Sequence, residues 1–209
     1  MKHIEILTER YPSLKVCENE IKSAVDALVS SYEKRGKLLL CGNGGSCADC
    51  DHIVGELMKG FLKKRPIGAD KKAEMKAFAE LDDELLSKLQ GGLPAISLPS
   101  ICALNSAFAN DVDAELMYAQ SVYALGKSGD VLIAISTSGN AKNVFLAAKV
   151  AKAIGMTVVA LTGEGRGALG GIADIVIAVP ESETYKVQEL HLPVYHAICA
   201  EVEEYFFET

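Results

Sequence analysis

His52 and Glu56 stand four residues apart, and residues at i and i+4 share one face of a helix. Such a pair could ligate one metal ion or carry a proton to and from a substrate, although many exposed helices bear it with no chemistry at all. Gln188, Glu189, His191 and His196 gather near the end of the chain. Gln188 and His196 are separated by eight residues, about 12 Å of ideal helix with about 80° of rotation. On a straight helix the two cannot comfortably reach one small ion. Three readings stay open: Pro193 kinks the helix between them, Gln188 precedes the regular helix, or the two act from different subunits. Cys47-x-x-Cys50 has the spacing of a zinc or redox pair, and a helix N-terminus lowers a thiol's pKa. A structural zinc site normally shows a second such pair. None is present, so these are read as ordinary helix cysteines.

A different chemistry is suggested by two loops, Gly42-Asn43-Gly44-Gly45-Ser46 and Ser136-Thr137-Ser138-Gly139-Asn140. Glycine lets backbone come close to a ligand, the hydroxyls donate, and a helix N-terminus offers free N–H groups with a favourable dipole. The same residues also make ordinary turns and caps. Two such loops at one crevice favour phosphate binding over that plainer reading. A dinucleotide fingerprint starting at Gly42 fails, because Cys47 stands where its third glycine is needed, and the second strand ends in Leu98-Pro99-Ser100 rather than in an acidic residue.

The elements that must position these residues follow from the apolar pattern. Pro12 to Tyr32 reads as a helix, with Cys17, Ile21, Ala24, Val25 and Leu28 on one stripe. Short apolar runs at 37–41, 95–98, 131–135, 157–161 and 175–179 read as strands. Helices are expected at about 46–62, 100–125, 140–154 and 187–206. Strands alternating with helices predict a parallel sheet covered on both faces. If its order is 2-1-3-4-5, the first and third strands meet at the switch point, where open α/β sheets bind ligands. The two loops would then face each other. Lys63-Lys64-Arg65-Pro66 looks like a boundary. Beyond it, Met75, Phe78, Leu85, Leu86 and Leu89 suggest an extra amphipathic helix, closed by Gly91-Gly92. One domain over 1–209 is expected, with this added segment at about 62–92.

Bulk properties narrow the partners. The 209 residues carry 21 Lys and Arg against 28 Asp and Glu, for a formal charge of −7. That balance argues against nucleic acid, which needs a positive footprint. No stretch of about 18 apolar residues suggests a membrane span, and Met1 to Arg10 lacks the apolar core of a secretory leader. The six cysteines are read as reduced thiols, and the chain as cytoplasmic.

With these residues in hand, a family resemblance emerges. Gly42-Asn43-Gly44-Gly45-Ser46, followed by Asp49, His52 and Glu56, resembles the signature of the phosphoheptose isomerases. Asn110-Asp111 is similar to their Asn-Asp pair, Ser136 to Asn140 to their phosphate loop, and Gln188-Glu189-Leu190-His191 with His196 to their last helix. The resemblance covers most of residues 36–200, in order. It implies a sugar isomerase (SIS) fold, a three-layer sandwich with a five-stranded parallel sheet in the order 2-1-3-4-5. It implies homotetramers with active sites shared between subunits. The activity implied is isomerisation of sedoheptulose 7-phosphate to D-glycero-D-manno-heptose 7-phosphate through an enediol. Glu56 would be the general base and His196 the acid. One zinc per subunit would be held by His52, Glu56, Gln188 and His196. Asn43, Gly44, Ser46, Asp111, Ser136, Thr137, Ser138 and Gln188 would bind the substrate and its phosphate.

The sequence also departs from the pattern. Ala141 stands where the family usually has serine, Tyr185 where it often has aspartate, Lys186 where it often has arginine, and an arginine after the base falls on Gly60. These positions touch substrate contacts rather than the acid–base pair. Two rival expectations follow: an isomerase of another phosphosugar, or a non-catalytic sugar-phosphate-binding or replication-initiator-associating protein on the same fold.

Overall fold

The structure is a computed structural model, and it describes residues 1–207. Five strands form one wholly parallel sheet in the order β2-β1-β3-β4-β5: β1 (Leu38–Gly42), β2 (Ala95–Ser97), β3 (Val131–Ile135), β4 (Thr157–Gly163) and β5 (Ile175–Val179). Both faces of the sheet are covered, as the uninterrupted apolar strands predict. Side chains alternate between the faces. Leu38, Leu40, Ile133, Ile135 and Leu161 point into one core, together with α1 (Lys2–Arg10), α2 (Glu18–Glu33), α3 (Gly45–Met58) and α10 (Thr184–Phe206). Leu39, Cys41, Leu132, Ala134 and Ala160 point into the other, under α7 (Met117–Leu125), α8 (Lys142–Ala153) and α9 (Gly167–Gly170). This is the expected α/β three-layer sandwich, and β1 lies between β2 and β3.

Element ends differ from the expectation where distant residues decide them. The expected first helix is a 3-10 stretch, Pro12–Cys17, running into α2. Before it, α1 forms on Ile4 and Leu7. Its first turn is held from far away: the Glu201 carboxylate accepts the N–H groups of His3 and Ile4 at 2.6 and 3.2 Å. No local signal at residues 1–10 announces that contact.

The segment 62–92 is not one amphipathic helix. It holds two short helices, α4 (Ala69–Phe78) and α5 (Asp83–Lys88). Asp82 starts the second one, its carboxylate accepting the Leu85 N–H at 2.6 Å, which is the N-cap arrangement. Leu86 is buried, whereas α4 buries no residue and Phe78 is 86% exposed. The base of the segment is pinned. Pro66 bridges to Gln90, and Arg65 accepts the Gly91 N–H through its carbonyl at 2.7 Å.

Arg65 itself corrects the reading of Lys63-Lys64-Arg65-Pro66 as a boundary. It is 1% exposed and pairs with Glu203, also 1% exposed, at 2.8 Å. Its other nitrogens donate to the carbonyls of Leu57 and Glu56 at 2.6 and 3.0 Å. Glu203 also accepts the N–H groups of Phe61, Leu62 and Lys63. Burial pushes the Glu203 carboxyl up, but those N–H groups and the guanidinium outweigh it and hold the group below its ordinary value. Arg65 thus closes the C-terminal turn of α3 and turns the chain back into the core.

His191, on α10, is a core histidine rather than a site residue. It is fully buried, and its Nε2–H donates to the Thr162 carbonyl at 3.2 Å, while Nδ1 has no partner. Burial lowers its pKa from 6.5 to about 4, with the Thr162 carbonyl pulling the other way. A neutral buried ring supports folding fully above the unfolded value, and that support is lost as pH falls through the folded one. Stability should therefore drop between about pH 6.5 and 4, by on the order of 3 kcal/mol from this group. Urea midpoints across that window should fall less steeply for His191→Leu; equal slopes would discard the assignment.

Candidate active site

The loops after β1 and β3 lie side by side, because Gly42 and Ile135 are paired at the C-terminal ends of these strands. Gly44 adopts φ +56° and opens α3, which no side chain caps. α8 likewise starts without a side-chain cap, behind Ala141. Two helix N-termini, neither closed by its N-cap residue, therefore meet at one crevice, the arrangement that favours an anion, although the Asn143 carboxamide oxygen takes the Val144 N–H of α8 at 3.0 Å. A pair of amides ties the loops together: Asn43 donates to Asn143 at 2.9 Å, and Asn143 donates back at 3.0 Å. The Tyr118 hydroxyl lies 2.9 Å from the Gly42 carbonyl and 3.2 Å from the Asn43 carboxamide oxygen. Ser46 is buried on the first turn of α3.

The second loop is held from behind. Gly139 has φ +68°, and a Cβ there would lie 2.0 Å from the Arg166 carbonyl oxygen, so only glycine fits. Asn140 donates to the Ser138 carbonyl, while its own oxygen accepts the Ala168 N–H at 3.0 Å. The Ser136 hydroxyl accepts the Ala141 N–H at 3.4 Å. Ser136 is buried, and the side chains of Thr137 and Ser138 border the crevice with increasing exposure.

A second cluster lies further along α3. His52 and Glu56 face His196 of α10, and the ligand atoms of the three lie within 4.8 Å of one another. His52 Nε2 is 3.1 Å from Glu56 Oε1 and 3.4 Å from His196 Nε2. Glu56 Oε2 instead meets the Lys59 ammonium at 3.2 Å. Burial, and next the His52 ring, hold His196 below the ordinary histidine value, with Glu56 pulling the other way. Two imidazoles and a carboxylate are a zinc-type donor set with room for further ligands. Among the described residues this is the only His, Cys, Asp and Glu group so arranged. Cys47 and Cys50 do not join it: Cys50 is buried, and burial pushes its thiol well above the ordinary value.

Gln188 and Asp111 lie apart from that cluster. α10 runs unbroken from Thr184 through Pro193, so Gln188 sits inside the regular helix. Its carboxamide packs on Gly45, where an added Cβ would meet it at 2.5 Å. Gly45 and His52 are seven residues apart on α3, about 10 Å along its axis. Within one chain Gln188 thus belongs to the glycine loop, and His196 to the far end of α3. Asp111 occupies a π-helical turn, Ala109–Asp113, directly after α6 (Cys102–Phe108), on the surface. Among the described residues its carboxylate is bonded only by Asn110.

Several residues of this region gave no sequence signal. Tyr195 is 2% exposed, and its hydroxyl lies 3.2 Å from Asp49 and 3.0 Å from His52 Nδ1. Burial pushes the Asp49 carboxyl up, with Tyr195 and His52 pulling it down. Tyr118, Asn143 and Arg65 were equally silent. Only their folded neighbours give them a role.

Comparison with known proteins agrees with this architecture. The chain matches the SIS domain family over residues 9–81 and 91–163. The unmatched stretch between them holds α5. A phosphoheptose isomerase of Burkholderia pseudomallei (strain K96243) is 37% identical over 187 residues, covering 90% of this chain and 82% of that protein. One from Helicobacter pylori (strain P12) is 36% identical over 194 residues, 93% of this chain and 88% of that one. A solved phosphoheptose isomerase from Francisella tularensis superposes with a TM-score of 0.77 at 30% identity, covering 93% of this chain and 91% of that one. The chain belongs to the SIS domain family. Within it, the chain falls in the phosphoheptose isomerase family, a group of phosphosugar isomerases.

Proposed function

We propose that the chain interconverts sedoheptulose 7-phosphate and D-glycero-D-manno-heptose 7-phosphate through an enediol. The observation that carries this reading is the arrangement of Glu56. One of its oxygens meets His52 beside His196, while the other lies outside that group. The outer oxygen can take the C1 proton of the ketose. The C1–H electrons then form the C1=C2 bond, and the C2 oxygen is protonated. His196, held toward its neutral form, can give a proton to one oxygen and accept one from the other. Glu56 then returns its proton to C2, and the aldehyde forms at C1. The electrons stay within the sugar, so no redox cofactor is needed, and the proton held by Glu56 can exchange with water while the enediol stands.

His52, Glu56 and His196 would hold a zinc ion, which when bound polarises the sugar's carbonyl and hydroxyl oxygens. Glu56 would then serve as both ligand and base, with its second oxygen, the one beside Lys59, turned to the substrate. Ser46, Thr137, Ser138 and the backbone at Gly44 would take the phosphate, with Ser136 shaping its loop and Asn43 bordering it. Asp111 would contact the sugar chain. Gln188 would serve the glycine loop of its own chain. As a fourth zinc ligand it would come from a second copy.

Gly45 and Glu56 are eleven residues apart on α3, about 16 Å along the axis. A site shared between copies, as in a homotetramer, brings the loop of one chain to the base of another. The cytoplasm suits an enzyme whose six cysteines are all free. No helix among the described residues is long and apolar enough to cross a membrane.

The test is turnover of zinc-loaded protein on a panel of ketose phosphates with five, six and seven carbons. The seven-carbon substrate should be fastest by kcat/KM. Preference for a shorter sugar would move the assignment to another phosphosugar, to which the missing hydroxyl at Ala141 and the exposed Tyr185 would then be relevant. No turnover on any of them would leave a binding protein.

A further inference from the structure

Tyr195 has one hydroxyl proton and two claimants for it. Its oxygen lies 3.2 Å from Asp49 Oδ1 and 3.0 Å from His52 Nδ1. Among the described residues, Tyr195 is the only donor to the Asp49 carboxylate, whose Oδ2 is buried without a partner. If Tyr195 gave its proton to His52, both oxygens of this half-buried carboxylate, the buried Oδ2 included, would lack a donor. A buried acceptor left unpaired costs more than one hydrogen bond gains. The proton therefore goes to Asp49, and the tyrosine oxygen accepts from His52 Nδ1–H.

That direction fixes the other side of the ring. An imidazole protonated at Nδ1 has a lone pair at Nε2 unless it carries a second proton. His52 Nε2 faces Glu56 Oε1 at 3.1 Å and His196 Nε2 at 3.4 Å. This leaves Glu56 Oε1 without a donor, but the Glu56 carboxylate keeps Lys59 on Oε2 at 3.2 Å, whereas Asp49 would keep none. A lone pair beside a carboxylate and another imidazole is also placed to receive a cation. Packing locks the orientation too. Tyr195 meets His52 edge-on, with ring centroids 5.5 Å apart, and meets His196 at 5.0 Å.

We propose that Asp49 and Tyr195 are positioning residues that hold His52 in its Nδ1–H form and aim the Nε2 lone pair at the site shared with Glu56 and His196. The consequence for metal affinity rests on the zinc assignment above, whereas the proton arrangement does not. Ligating histidines are commonly oriented by such outer partners, and removing one typically weakens metal binding by about 10–100-fold.

The test uses the full metal-free chain labelled with nitrogen-15 histidine, about two pH units above the ordinary histidine value. The His52 signals are identified by their loss in His52→Gln. The wild type should show a protonated, pyrrole-like Nδ1 at His52. His191, with the proton on Nε2, gives the opposite pattern in the same spectrum. In Tyr195→Phe the ring should turn to Nε2–H, bonded to Glu56, leaving Nδ1 pyridine-like. Asp49→Ala should do the same, because Tyr195 is then free to donate to Nδ1. Competition with a chelator should show zinc dissociation constants raised by about 10–100-fold in Tyr195→Phe. A pyridine-like Nδ1 in the wild type overturns the proposal, as does Tyr195→Phe binding zinc as tightly as the wild type. If the wild type takes up no zinc, the metal assignment falls, and the nitrogen shifts alone decide the proton arrangement.

Discussion

Glu56→Gln is expected to lower kcat by about 10²–10⁴-fold, the usual contribution of a positioned acid–base group. Glutamine keeps the size of the side chain and can still meet His52 and Lys59, the two partners of Glu56. What it loses is the ability to take a proton from carbon. KM should change much less than kcat, because the phosphate loops lie at the other end of α3. Steady-state rates with equal zinc content in both proteins isolate the effect. A variant that turns over near the wild-type rate would remove Glu56 from its role, whatever the fate of the metal.

Glu203→Leu should produce the largest loss of stability. It leaves the Arg65 guanidinium, 1% exposed, without its counter-charge. It also leaves the N–H groups of Phe61, Leu62 and Lys63 without the carboxylate they share. Breaking a buried pair by removing one partner costs about 3–5 kcal/mol. For a chain of this size that corresponds to a melting point lower by roughly 10 °C. Urea unfolding at fixed protein concentration reads it. Glu203→Gln, which keeps one acceptor oxygen, should fall between the two. A second effect accompanies the first. Arg65 holds the carbonyls of Glu56 and Leu57, so a loosened Arg65 loosens the turn that carries the base. Unchanged stability in Glu203→Leu would show that the buried network is replaceable by apolar packing.

The covered parallel sheet was legible from local patterns, whereas its order 2-1-3-4-5, and with it the meeting of the two loops, came with the family resemblance. Five short apolar runs, each bounded by turn residues, permit little besides a covered parallel sheet, and topology then brings the β1 and β3 loops together. His52 and Glu56 were legible for the same reason: helical spacing fixes their shared face. His196 could be placed on a helix, but nothing local put that helix against α3. For Gln188 the sequence leaves three readings, and what the fold adds is position: α10 is continuous and sets its carboxamide on Gly45. Contacts between distant segments stayed hidden altogether. Arg65 reads as part of a boundary, and only the folded chain supplies Glu203, 138 residues away. Tyr195 reads as one more apolar position of α10 until Asp49 and His52 are brought up to it from α3. α1 depends on a carboxylate almost 200 residues away. The split of 62–92 into two helices was within reach, since Asp82 is a good cap, but the apolar stripe crossing it masked the break.

The most direct test of the central claim is to run the isomerisation in heavy water and locate the label. Proton transfer through an enediol with Glu56 as base predicts deuterium at C2 of the aldose product. The same label should appear at C1 of recovered ketose, and both should vanish in Glu56→Gln. Product that carries the ketose's own C1 hydrogen at C2, with no solvent deuterium at either carbon, would mean hydride transfer and would contradict the account.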